Sequence, residues 1–324
     1  MAWWLEQCQI PDQIAYQAAL DHQLQLTKPT GSLGDLEQVA TQLASLQSTS
    51  APQIDFPCIT IFAGDHGVME EQISAYPQAV TRQMLQNFTS GGACISVMAK
   101  HYGAHLQVID CGSVGEAYAY AGVECHSIMQ GTQNFAKTTA MSTEQCMAAM
   151  QLGYQSVEKA MAQKASIYVA GEMGIGNTCS ASPLACLLLN ESEEALTGVG
   201  TGIKQEQLIR KKQVIQQAIT LHQDWAGDDA FKILCAVGGL EIAAMVGAYI
   251  RCAQRGLAIL VDGFISTAAA LIAVRLNADV RHWMLFGHQS AEYGHARLLK
   301  ELNAKPLLQL NLRLGERSGA GAAL

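Results

Sequence analysis

Six short apolar runs constrain this chain more than any other feature: residues 58–62, 106–110, 167–170, 233–237, 258–261 and 283–286. Each is continuous rather than alternating, the pattern of strands buried on both faces. Stretches with helical spacing separate them, at 81–100, 144–163, 205–222 and 240–254. Strand followed by helix, repeated, predicts right-handed crossovers and a parallel sheet, hence an α/β fold.

Ahead of the first run, residues 1–26 read as helical and stop at Thr27-Lys28-Pro29-Thr30-Gly31-Ser32-Leu33-Gly34, where Pro and Gly break the helix. Ser32 is placed to cap the next helix, with Asp35 in its first turn. In that helix Leu36, Val39, Ala40, Leu43 and Leu46 recur at helical spacing and predict a buried face.

A chain of 324 residues can bury roughly three quarters of its unfolded surface. With 49% hydrophobic and 15% charged residues it is not a disordered polymer, and a subunit interface is compatible with that balance. A net charge of −8 and a pI near 5.6 exclude a general nucleic-acid binder. An anionic substrate would need local donors against that field. The ten cysteines form no C-x-x-C pair and no metal-spaced cluster with His, so they read as buried thiols in a reducing compartment. The opening Met1-Ala2-Trp3-Trp4-Leu5-Glu6 lacks the features of a signal peptide. No apolar run reaches the roughly 20 residues of a membrane span. The expectation is a cytoplasmic protein without membrane or nucleic-acid partners.

The six runs end in Gly-Asp-His, Asp-Cys-Gly, Gly-Glu-Met-Gly, Gly-Gly, Asp-Gly and Gly-His. Ligands of open parallel sheets bind outside the carboxyl ends of the strands. One such turn is ordinary turn chemistry; a whole edge of them points to a binding crevice.

Two glycine loops sharpen this. Gly171-Glu172-Met173-Gly174-Ile175-Gly176-Asn177-Thr178 follows the third run and leads to Ser180-Ala181-Ser182-Pro183, read as a helix start with Ser182 as N-cap. Glycines admit a phosphate close to the backbone, and helix-start amides donate to it. The spacing fits neither a Walker loop nor G-x-G-x-x-G, and a plain strand-to-helix turn is the competing explanation. Gly198-Val199-Gly200-Thr201-Gly202 precedes a second helix, whose buried stripe of Leu208, Ile215, Ala218 and Ile219 also takes in Lys211. That ammonium either snorkels to water or meets an anion in the crevice.

Val237-Gly238-Gly239-Leu240-Glu241 and Val261-Asp262-Gly263-Phe264 read as two further strand-to-helix turns. Asp262 can accept from ribose hydroxyls or cap a helix. Tyr76-Pro77 with Val80 and Met84 offers a surface for a planar ring, or ordinary helix packing. His66, His288 and His295 share no metal spacing and read as hydrogen-bonding residues. Near the end, Leu312-Arg313-Leu314-Gly315-Glu316-Arg317-Ser318-Gly319-Ala320 carries a lone Glu among glycines and small residues. Glu316 is a candidate general base, although the segment alone fits a solvent-facing turn better.

Several of these pieces, in order, resemble the nicotinate-nucleotide–dimethylbenzimidazole phosphoribosyltransferase family. They are Lys28-Pro29-Thr30-Gly31-Ser32-Leu33-Gly34, Phe62-Ala63-Gly64-Asp65-His66-Gly67-Val68, Ser74-Ala75-Tyr76-Pro77-Gln78, the 171–178 loop, Val237-Gly238-Gly239, Leu260-Val261-Asp262-Gly263-Phe264, His288-Gln289-Ser290-Ala291-Glu292 and Leu312-Arg313-Leu314-Gly315-Glu316. The set runs from about residue 28 to 320.

The resemblance implies a three-layer Rossmann-like parallel sheet in a large nucleotide-binding domain of residues 51–299, a smaller helical domain of residues 1–50 plus 300–324, and a homodimer. It implies transfer of 5-phosphoribose from nicotinate mononucleotide to 5,6-dimethylbenzimidazole, giving α-ribazole 5'-phosphate and nicotinate in cobalamin nucleotide-loop assembly, with no metal and no cofactor. It places the base on Glu316. Phosphate and ribose contacts fall on Glu172, Gly174, Asn177, Gly200, Lys211, Asp262 and Gly263, and the ring pocket near Tyr76, Met84 and Leu314. Two departures bear on activity and on the dimer: Arg317 stands where the family usually has Gly, and the family carries a further helix after this motif. The alternatives are a non-catalytic nucleotide-binding or regulatory homologue that keeps the phosphate loops, and a nucleotide-dependent dehydrogenase, against which the missing G-x-G-x-x-G counts.

Overall fold

The computed structural model describes residues 2–200, 202–312 and 318–324. In chain order they form α1 (Gln13–Gln25), α2 (Asp35–Leu46), β1 (Pro57–Gly64), α3 (Ala79–Ser90), α4 (Cys94–Tyr102), β2 (His105–Gly112), β3 (Val123–Cys125), α5 (Thr143–Ala162) and β4 (Ile167–Met173). Then come α6 (Asn177–Leu189), α7 (Glu193–Leu196), α8 (Gln205–Ala226), α9 (Ala230–Val237), α10 (Leu240–Arg255), β5 (Ile259–Val261), α11 (Phe264–Leu276), β6 (Met284–His288), α12 (His295–Glu301), β7 (Pro306–Leu308) and α13 (Ser318–Ala323).

The strands form one seven-stranded sheet in the order β3-β2-β1-β4-β5-β6-β7, with every neighbouring pair parallel. All eight residues of β1 are buried, as its unbroken apolar run requires. Burying each of Ile59, Ile61 and Phe62 contributes roughly 1.5–3 kcal/mol. Helix α10 packs on β1 and β4 and crosses α5 so closely that only glycine fits at the contact. A Cβ on Gly153 would lie 1.8 Å from the Ala244 carbonyl, and one on Gly247 would lie 2.0 Å from that of Met150.

Five of the six expected strands are present, within β1, β2, β4, β5 and β6. Residues 233–237 instead lie in α9, started by Asp229, whose side chain accepts from the amides of Phe231 and Lys232. The run is apolar because α9 packs against α5, α6, α8 and α11, and all-round burial erases the periodicity that separates helix from strand. Two strands escaped the sequence reading. β3 and β7 are edge strands of three residues each, too short and too exposed to show a buried run.

The expected helix at 81–100 is two helices, because Gly91 (φ 84°) ends α3 in the left-handed region. Within residues 1–26, Trp3–Leu5 is a 3-10 turn and α1 begins only after the Asp12 cap. Ser32 does not cap α2; Gly34 holds that position at φ 56°. Leu36 is 65% exposed, so the expected buried face of α2 is confined to its last turn. Helix α6 starts at Asn177 and runs through Pro183 rather than beginning there. The Ser182 hydroxyl donates to the Thr178 carbonyl at 2.9 Å, an interior role rather than a cap. The segment expected to complete a small helical domain also supplies β7 to the main sheet.

This order places the site. The chain winds from β1 toward β2 and β3 on one side and toward β4 through β7 on the other, so the sheet changes direction between β1 and β4. A crevice opens outside the carboxyl ends of the strands at such a point.

Candidate active site

Beyond β4 the chain turns through Gly174 and Gly176 into α6. Gly174 is forced by close approach: a Cβ there would lie 2.2 Å from the Gly64 carbonyl and 3.3 Å from His66 Nε2. Gly176 holds φ 99° at the N-cap position and gives α6 no side-chain cap; the turn itself takes up the Asn177 and Cys179 amides, through the Gly174 and Gly176 carbonyls at 3.1 and 2.8 Å.

A cavity of about 40 Å³ lies at this helix end, lined by Gly174, Asn177, Thr178, Gly200 and Lys211 with Ile73, Ser74, Ile175, Gly176, Val199 and Ile203. Asn177 Nδ2 donates to Glu172 Oε2, tying the loop to the end of β4. Lys211 does not snorkel. It is 2% exposed, and its ammonium donates to Thr178 Oγ1 at 3.0 Å and to the Gly198 carbonyl at 3.3 Å. Burial pulls its pKa down, opposed by Cys179 and Glu292. Burial conversely pushes the Glu292 carboxyl up, opposed by Lys211 and by the Gly200 amide. A phosphate in this cavity would meet a cation already stripped of water, at a helix start.

Beneath it lies a buried pair that the sequence reading did not assign. His66 Nε2 and Glu241 Oε1 are 2.8 Å apart with both side chains at 0% exposure. Asp65, beside it, accepts from Thr81 Oγ1 at 2.6 Å and from the Val114 amide at 2.9 Å. Burial still raises its pKa. Only spatial proximity of β1 and the α10 start reveals this pair. Glu241 lies two residues after the Gly238-Gly239 turn, but nothing in spacing links it to His66. Thr178 and Glu292 were likewise quoted within motifs without a role.

Along the same rim, Asp262 (4% exposed) accepts the Ala320 amide at 2.7 Å through Oδ1, with His288 Nε2 at 3.7 Å. Gly263 adjoins His288: a Cβ there would lie 3.2 Å from Nε2. His295 accepts the Ser290 amide at Nδ1 (2.8 Å), leaving Nε2–H for Thr267 Oγ1 at 3.0 Å. Burial pushes its pKa down to about 3, so it stays neutral and fixes the Ser290 turn. His66 and His295 are thus hydrogen-bonded, whereas His288, expected to be so, has a buried Nδ1 with no partner among the described residues and an Nε2 beyond hydrogen-bond distance of Asp262; the described residues contain no cluster placed to hold a metal ion.

Tyr76 and Met84 are not part of the cavity lining. Tyr76 is 49% exposed, its amide donating to Ser74 Oγ at 3.3 Å; Met84 is half-buried, its sulfur 3.8 Å from Asn87 Nδ2. Leu314, Glu316 and Arg317 lie outside the described residues, as does Thr201.

A family model described as Phosphoribosyltransferase matches residues 8–324. The chain is 51% identical, over 322 residues, to the nicotinate-nucleotide–dimethylbenzimidazole phosphoribosyltransferase of Pseudomonas fluorescens, covering 99% of this chain and 92% of that protein. It is 52% identical, over 323 residues, to the enzyme of the same name from Pseudomonas syringae, covering 100% of this chain and 92% of the relative. Among solved structures, CobT from Thermus thermophilus superposes with a TM-score of 0.91 at 39% identity, covering 96% of this chain and 92% of that one.

Proposed function

This chain belongs to the nicotinate-nucleotide–dimethylbenzimidazole phosphoribosyltransferase family, and on that premise we propose how its residues carry the reaction. The enzyme moves 5-phosphoribose from nicotinate mononucleotide to 5,6-dimethylbenzimidazole, releasing nicotinate and α-ribazole 5'-phosphate, a step of cobalamin biosynthesis. The observation that carries the assignment of roles is the desolvated Lys211 ammonium at the amino end of α6, on the cavity rimmed by Gly174, Gly176 and Gly200.

The 5'-phosphate binds between Lys211 and the amino end of α6, where the helix dipole favours an anion. Glu172, Asn177, Asp262 and Gly263 at the β4 and β5 ends face the ribose, and Tyr76, Met84 and Leu314 meet the base. A benzimidazole nitrogen donates its lone pair to the anomeric carbon as the bond from that carbon to the pyridinium nitrogen breaks. The pyridinium takes the bonding electrons and leaves as nicotinate, so departure needs no acid. The N–H proton of the new benzimidazolium passes to Glu316 as general base. Holding the phosphate at a distance from the reacting carbon spends binding energy on orientation.

Two contacts support a place for Glu316 at this rim. The Ala291 amide donates to the Leu312 carbonyl at 3.1 Å on one side of residue 316, and Asp262 holds Ala320 on the other. The test is Glu316→Gln. Turnover should fall by roughly 10²–10⁴-fold, the usual worth of a general base, while nicotinate mononucleotide still binds. Unchanged turnover would reject Glu316. Persistent binding without any turnover in the unaltered protein would favour the regulatory homologue.

A homodimer fits the apolar surface of the α1–α2 hairpin, where Ile10, Ile14, Leu24 and Leu36 are each at least 65% exposed. Light scattering in solution tests it. A small unit of residues 1–50 plus 300–324 draws support from Lys305 Nζ, 2.6 Å from Asp35 Oδ1, which joins the two ends of the chain. Cytoplasmic residence fits ten free cysteines. No described helix is long and apolar enough to cross a membrane.

A further inference from the structure

The loop carrying Gly198 and Gly200 is held by charges of both signs. Lys211 Nζ donates to the Gly198 carbonyl at 3.3 Å, and the Glu292 carboxylate packs against Gly198, with the Gly200 amide among the groups that hold its pKa down. Both residues are glycine for room. A Cβ on Gly198 would lie 2.1 Å from Glu292 Oε2, and one on Gly200 would lie 2.9 Å from Thr178 Oγ1 and 3.6 Å from Lys211 Nζ. Glu292 is half-buried and comes from the turn after β6, remote in sequence from the loop it touches. A carboxylate placed beside the cation of a phosphate site opposes the phosphate, since like charges in a desolvated setting repel strongly. Its presence needs a reason beyond electrostatics with the ligand, and its close contact with Gly198 supplies one.

We propose that Glu292 is a positioning residue for the Gly198–Gly200 loop and, at the same time, a resident counter-charge that limits how tightly Lys211 grips the nucleotide phosphate. The carboxylate balances the buried ammonium while the cavity is empty and keeps the loop in register. When the nucleotide enters, two anions share one cation, and the affinity is set below what the loop and the ammonium alone would give. The same repulsion acts on the product, which carries the same phosphate, and speeds its departure. This inference rests on the reading of Lys211 as the phosphate contact.

The two functions of Glu292 separate by substitution. Glu292→Gln keeps a side chain of the same shape, with a polar end against the loop, and removes the charge. Glu292→Ala removes both. Calorimetric binding of nicotinate mononucleotide, with steady-state KM for both substrates, should therefore move in opposite directions for the two variants. Glu292→Gln should bind the nucleotide at least roughly tenfold more tightly, the effect of removing a like charge about 12 Å away at an effective dielectric constant of about 20 and larger at shorter range, and kcat should fall as product release slows. Glu292→Ala should bind it more weakly. The KM for dimethylbenzimidazole should stay near its original value in both. A residue that merely supports the fold would weaken binding in both variants, so Glu292→Gln binding equal to or weaker than the unaltered protein overturns the counter-charge. Tighter binding in both variants overturns the loop-positioning role. Lys211→Met, measured beside them, separates the premises. If it leaves nucleotide binding unchanged, the phosphate reading of Lys211 is itself wrong; if it weakens binding while Glu292→Gln does not strengthen it, only the inference about Glu292 fails.

Discussion

His66 Nε2 stands 2.8 Å from Glu241 Oε1 where neither side chain meets solvent, against the glycine turn between β4 and α6. Burial by itself lowers the pKa of the His66 ring, but the charge and hydrogen bond of Glu241, with Asp65 and Glu172 behind it, outweigh that and leave it raised. The sign follows from linkage. A histidine whose folded pKa is raised gives its full stabilisation below the unfolded value of about 6.5 and loses it as pH rises through the folded value. Glu241→Gln should thus cost roughly 3 kcal/mol on the acid side of that range, the usual scale for stranding one member of a buried pair, and less as pH rises. Urea unfolding from about pH 6 to about pH 9 checks this; a difference that stays constant with pH would contradict it.

Lys211→Met should raise the apparent constant for nicotinate mononucleotide by roughly 10–100-fold, the worth of a hydrogen bond to a charged group, with little change for dimethylbenzimidazole. The ammonium is held by Thr178 Oγ1 and the Gly198 carbonyl rather than by water, so no other cation substitutes for it cheaply. Initial rates with each substrate varied in turn give the answer. An equal rise in both constants would point to a general collapse of the site.

How far the chain disclosed its own structure depends on range. Runs such as Cys58–Phe62, buried on both faces, identified β1 correctly, because a central parallel strand writes its burial into every residue. The same logic misread residues 233–237, since a helix surrounded on all sides writes an identical signature. Lys211 could be placed on the buried stripe of α8 from spacing alone. Its acceptors could not, because Thr178 lies 33 residues away in α6. Pro183 misled for a related reason: proline favours a first turn, yet here it lies inside α6, six residues beyond the Asn177 start, and leaves the Cys179 carbonyl without its usual amide donor. The His66–Glu241 pair spans 175 residues and has no local trace.

Gly174→Ala should disable the enzyme without unfolding it. The new methyl would meet the Gly64 carbonyl at 2.2 Å and His66 Nε2 at 3.3 Å, and backbone cannot yield there without moving β1. The turn must shift outward, away from the helix start proposed to receive the phosphate. Overpacking of this kind costs roughly 1–3 kcal/mol. Thermal unfolding should show a modest loss and nicotinate release a severe one. Activity close to the original would mean that the turn tolerates displacement and does not cradle the ligand.

Asp262 tests how the end of the chain is tied to the sheet. Its Oδ1 accepts the Ala320 amide at 2.7 Å in a buried setting. The packing around that bond leaves no slack. A Cβ on Gly319 would fall 1.9 Å from His288 Cδ2, and one on Gly287 would fall 2.9 Å from Ala320 Cα. Asp262→Ala strands a buried amide, a loss of roughly 1–3 kcal/mol confined to the anchorage of α13. Asp262→Asn keeps an acceptor oxygen at the same position and should restore most of it. Hydrogen exchange at Ala320 should therefore accelerate strongly in the Ala variant and little in the Asn variant. If Asp262 instead serves the ribose alone, exchange at Ala320 stays slow in both and only the nucleotide constant changes. If anchoring is its main task, turnover should follow the exchange rate across the two variants, because residue 316 is only four positions from the amide that Asp262 holds.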